Sequence, residues 1–153
     1  GSGDRAPWPI IQTDSMEIHP RISPDGRWLA YVSTETGASA VYVTRFPKPA
    51  GKWAVSVGGG GGWPVWRSDS RELYYRASDG TLMAVSIGAG AEFEAGVPVK
   101  LFAPKANPGP LGAGTFYDVA AHGRFLINVF VERRTPPATV VLNWAPPAAR
   151  GQK

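Results

Sequence analysis

Few residues in this chain have types and spacings that could do chemistry. Its 153 residues include two histidines, His19 and His122, and no cysteine. Without cysteine there are no disulfides or thiolate metal sites, and the two histidines do not have the spacing of a zinc motif. His19, Ser23 and Asp25 are the residue types of a nucleophilic triad. On an extended strand, however, His19 and Ser23 stand about 13 Å apart, beyond triad reach. Paired carboxylates would support hydrolase or lyase chemistry. Glu17 and Asp118 are the acids on suitable strand positions, and they would have to meet across the molecule. Asp25 and Asp69 lie in Gly/Ser turns of a kind that can hold Ca²⁺, but too few acidic oxygens accompany them. They are expected to bond the turn backbone instead. Residues 58–62 are five consecutive glycines, whose bare amides could cradle an anion. No Lys-Ser/Thr follows them, and Trp63-Pro64 opens a strand, so a flexible connection is expected. No catalytic set, metal or cofactor is therefore expected.

The elements that position these residues repeat. IHPRISPDGRWL (18–29) returns as GWPVWRSDSREL (62–73) and, more faintly, as TFYDVAAHGRFL (115–126). Asp25 aligns with Asp69 and His122, at spacings of 69 − 25 = 44 and 122 − 69 = 53 residues. Short strands recurring every 40–45 residues or so are the signature of propeller blades. Period-2 alternation between turn residues predicts strands at 17–23, 28–33, 40–46 and 52–57 in the first copy. The second copy gives 63–67, 72–76, 82–87 and 97–102, with a hairpin turn at Ser78-Asp79-Gly80. The third gives 116–120, 125–131 and 139–144, and 103–114 reads as a long loop between copies.

The expected fold is all-β: a β-propeller of four-stranded antiparallel blades, three per chain, half of a six-bladed ring. The blades span about 14–57, 58–102 and 115–144. Residues 1–7 read as a tag or linker, and 145–153 as a disordered Pro/Ala/Gly tail. The third copy lacks a fourth strand, whereas 8–13 (WPIIQT) is a spare strand before the first. Because propellers use four to eight blades, the spare strand of one molecule could complete the last blade of another. An exchange that closes after two molecules gives the expected six-bladed ring; a three-molecule, nine-bladed ring and a fragment of a longer chain are the alternatives.

SPDGRWLAYVS at 23–33 closely resembles the WD40-like (PD40) repeat of TolB-like propellers. The ordered run ETGASAVYVTRFP, KWAVSVGGGGGWPVWRSDSRELYYRASDGTLMAVSI, FEAGVPVKLF and VVLNW resembles the C-terminal propeller of bacterial serine/threonine protein kinases. The likeness covers 8–144. Asp69-Ser70 and Ala121-His122-Gly123 depart from that family's Asp-Gly turns, and no kinase catalytic signature is present. The resemblance implies a sensor or scaffold module. It also favours an extracytoplasmic or periplasmic location.

Net charge is +4, but the basic residues are scattered and read as a solvated surface, not a nucleic-acid footprint. No apolar run is long enough to span a bilayer as a helix. Trp28, Trp53, Trp66 and Trp144 fall in strand patterns and are expected to pack blade on blade. Inner strands line a propeller channel, so His19, Arg21, Trp63, Arg67, Phe116 and Tyr117 form the expected binding rim. The expected function is non-enzymatic binding of a protein or peptide ligand by a homodimeric ring. The rival is an enzymatic propeller using Glu17 and Asp118.

Overall fold

The computed structural model describes residues 7–58, 60–105 and 114–129. They form an all-β structure of open antiparallel sheets. The first sheet holds β1 (Glu17–Ile22), β2 (Trp28–Ser33), β3 (Ala40–Arg45) and β4 (Trp53–Ala54), in that spatial order. The second holds β5 (Gly61–Trp66), β6 (Glu72–Ala77), β7 (Leu82–Ser86) and β8 (Val99–Phe102). The third is the hairpin β9 (Tyr117–Val119) and β10 (Phe125–Ile127). The strand expected at 139–144, the tail 145–153 and most of the 103–114 loop lie outside the described residues.

The repeat is visible in backbone geometry. In β1, His19 and Pro20 together oppose the single residue Tyr31, a bulge between the pairs Ile18–Val32 and Arg21–Ala30. In β5, Trp63 and Pro64 oppose Tyr75 in the same way. His19 and Trp63 both adopt positive φ, 55° and 53°, an uncommon conformation for bulky side chains. The turns after the inner strands also correspond. Gly26, Ser70 and Gly123 all have positive φ and donate their N–H three residues back, to Ser23, Arg67 and Ala120.

After that turn the third copy differs. Trp66 pairs with Leu73 and Ile22 with Leu29, but Val119 pairs with Phe125. The third turn is one residue shorter, so Phe125, not Leu126, takes the place of Leu29 and Leu73. The sequence alignment of 126 with 73 and 29 is corrected accordingly.

The sheets stack in one direction. Trp28, Ala30, Val32, Val41 and Val43 on one face of the first sheet pack against Leu73, Tyr75, Met83 and Val85 of the second. The opposite face of the second sheet, with Trp63, Tyr74 and Leu82, packs against Phe116, Tyr117, Phe125 and Ile127. Each sheet thus lays its Leu73-type face on the sheet before it. The guanidiniums of Arg27 and Arg45 lie over the Trp28 ring at 5.4 and 5.2 Å and also bind the carbonyls of Gly90 and Ala91 respectively. That contact straps the loop after β7 to the first sheet. Trp66 donates its indole N–H to the Arg21 carbonyl at 2.9 Å, a second tie between the sheets.

Residues 8–13 form no strand pairing among the described residues. Pro7 and Pro9 lack the N–H groups that a ladder would use on one edge. Ile10 and Ile11 instead pack on the free face of the first sheet, against Leu29, Tyr31 and Tyr42.

Candidate functional site

Repeat position by repeat position, the inner strands build one cleft. The bulge residues His19 and Trp63 stack at 5.5 Å with 28° between their planes. Trp63 meets Phe116 edge-on at 5.7 Å, and Phe116 leans on Tyr117 at 5.0 Å. The residues aligned across the three copies therefore form one aromatic row. A positive φ at His19 and Trp63 turns these side chains out of the ordinary strand alternation, toward their neighbours. The Arg76 guanidinium lies 5.8 Å from the Trp63 ring. Tyr117 donates its phenol to the Trp63 carbonyl at 2.7 Å. Burial pushes that phenol well above its ordinary pKa, against an opposing pull from Arg21, so it stays a hydrogen-bond donor.

Beside the row opens a cleft of about 540 Å³. Arg21, Val65 and Asp118, one from each sheet, occupy equivalent register positions opposite Ala30, Tyr74 and Leu126, and all three line it. Trp66, Phe116 and Tyr117 supply aromatic walls, Ile22 and Leu126 aliphatic ones, and Thr115 and Asn128 polar groups. The Arg21 guanidinium reaches from the first sheet to Thr115 Oγ1 of the third copy and also bonds the Pro20 carbonyl. A cation, a carboxylate and an amide thus share one hollow with aromatic and aliphatic walls. That mixture suits a peptide segment, whose amides, charged groups and side chains can all be matched.

Of the six predicted rim residues, Arg21, Phe116 and Tyr117 line this cleft, and His19 and Trp63 support it from the aromatic row. Arg67 does not join them. Its guanidinium is bound to Asp69 at 2.8 Å and Glu72 at 2.7 Å, beside its own turn. The two acids were present at i+2 and i+5, and they outbid the cleft for this cation. Val65 and Asp118 carried the same alignment signal as the aromatic row. They were missed as a set because the three copies place a cation, an apolar residue and an anion there.

The turn aspartates accept backbone N–H groups, as expected: Arg27 to Asp25 at 3.1 Å and Arg71 to Asp69 at 2.9 Å. Burial acts to raise the Asp25 carboxyl. The Ser23 hydroxyl, the Arg27 N–H and the Arg27 charge outweigh it and hold the carboxyl below the usual range. Glu17 and Asp118 line separate cavities, so the structure does not bring this carboxylate pair together. Glu17 instead accepts hydrogen bonds from Thr13 and Ser33. Among the described residues no group of three or more His, Asp or Glu could hold a metal, and no helix is long and apolar enough to cross a membrane.

The end of the glycine run belongs to a strand rather than to a connection. Gly61 lies inside β5, where a Cβ would come 2.9 Å from the Ser56 Cβ and 3.1 Å from the Tyr75 ring. Close packing, rather than anion binding, explains a glycine there. Compared with models of known protein families and with curated proteins, the chain matches none.

Proposed function

We propose that this chain is a non-enzymatic binding module of β-propeller type, which takes a protein or peptide segment in the cleft between its inner strands. We further propose that two copies complete a six-bladed ring. The observation that carries this reading is the repeated register: equivalent positions of three successive sheets converge on one aromatic row and one cleft. A repeat array that converges its inner strands on a hollow presents a recognition surface. The separation of Glu17 from Asp118 weighs against the hydrolase or lyase reading. The exposed Leu126 on the far face of the third sheet, 74% accessible, is the kind of surface a following blade would cover.

Two measurements test it. Sedimentation equilibrium should return twice the chain mass; a monomer at all concentrations would remove the ring. Peptides selected from a random display library should lose binding about tenfold or more on Arg21→Ala or Asp118→Ala, as expected for the loss of a matched polar contact. Peptides that bind both variants as well as the parent would place recognition elsewhere.

A further inference from the structure

Among the described residues no other sheet is seated on the outer face of the first sheet. Leu29 and Tyr31 occupy the register places of Leu73 and Tyr75, by which the second sheet seats itself on the first. At that internal joint the opposing face brings a continuous apolar layer, Trp28 with Ala30, Val32, Val41 and Val43. On the first sheet, Ile10, Ile11 and Phe46, each half-buried, stand in for such a layer among the described residues. They cover it: Leu29, Tyr31 and Tyr42 are only 4–7% exposed. A hollow of about 500 Å³, bordered by Ile10, Ile11, Leu29, Tyr31 and Phe46, opens to solvent beside them. Glu17, on the same cavity, keeps a buried carboxylate oxygen with no hydrogen-bond partner. A buried acceptor is rarely left unpaired where the intended partner is in place.

We propose that residues 7–13 are an internal plug. Ile10 and Ile11 hold the seat of a preceding sheet, and a second copy of this chain takes that seat with the far face of its third sheet only after the plug leaves. The proposal rests on the ring reading above and adds a gate to it. Self-association is a competition between two segments for one face, so holding the plug down suppresses the dimer. The released segment is then free to serve as the spare strand of the partner.

The chain has no cysteine, which permits a clean lock. In the variant Ile10→Cys/Phe46→Cys the two thiols are joined by a short bis-methanethiosulfonate, each thiolate displacing methanesulfinate to form a reducible disulfide, and mass is read by sedimentation before and after reduction. The expected result is a monomer when linked and a dimer when released, with the apparent dissociation constant shifted by about tenfold or more. A linked chain that dimerises as well as the released one overturns the plug but leaves the ring. Monomers in both states, with the unmodified chain also monomeric, overturn both. Failure of reactive thiols to link shows that Ile10 does not sit at Phe46, which overturns the plug alone. Adding Leu126→Asp to the released variant should abolish the dimer, and a surviving dimer would mean that another face forms it.

Discussion

At the scale of single residues, Ser70 shows how a departure from the repeat is compensated. Gly26 and Gly123 occupy this turn position at positive φ, where glycine carries no steric cost. Ser70 takes φ 60° with a side chain and is almost fully buried. Its hydroxyl accepts the Asp25 N–H at 3.0 Å, tying the turn of the first sheet to that of the second. Ser70→Ala keeps the strained backbone and loses the bond, so it should cost about 1–3 kcal/mol. Ser70→Gly also loses the bond but relieves about 1 kcal/mol of strain, and should be the milder change. Urea denaturation of the two variants checks the order. An alanine variant as stable as the glycine variant would show that the backbone there carries no strain.

At the scale of elements, the sequence pattern revealed registers only where alternation pins them. The aromatic row was legible because His19, Trp63 and Phe116 precede the turn that varies. The shortened third turn was not, because Phe125, Leu126 and Ile127 are consecutive apolar residues. A slip of one residue exchanges apolar for apolar and leaves no trace in the pattern. The segment 8–13 pairs with no strand among the described residues. Its composition reads as a strand, and Pro7 and Pro9 remove donors from one edge only, so pairing is left to the other edge. Arg67 was assigned to the rim by strand position alone, which does not weigh competing acids nearby. The glycine run could be read either as slack or as contact, and only packing decides. Gly61 is contact: a methyl group there would sit 2.9 Å from the Ser56 Cβ. Gly61→Ala should therefore lower stability by about 1–3 kcal/mol through overpacking, measured by thermal or urea unfolding. A change of less than about 0.5 kcal/mol, the ordinary effect of a surface substitution, would mean that β5 does not lie this close to the first sheet.

At the scale of the whole molecule, the one-way stacking of sheets buries tyrosines at successive joints, and this gives the fold an alkaline limit. Tyr31 lies on the free face of the first sheet, Tyr75 between the first and second, and Tyr74 and Tyr117 between the second and third. Burial raises all four phenols above the ordinary 10.0. Tyr74 is pushed up to about 12, by burial and then by its hydrogen bond to the Glu72 carboxylate. A raised pKa means that the folded chain holds its proton where the unfolded chain has released it. The corresponding stability is whole below pH 10 and falls as pH climbs toward 12. For Tyr74 alone the gap from 10 to about 12 corresponds to about 2–3 kcal/mol. Guanidinium unfolding at pH 8 and 11 should show a clear loss at the higher value, and Tyr74→Phe should flatten part of that slope. Phe preserves the edge-on contact that Tyr74 makes with Phe125 at 5.1 Å, so packing is kept while the proton is removed. Identical pH slopes in parent and variant would assign the alkaline loss to other groups, and a flat parent curve would show that these joints open to water before the phenols ionise.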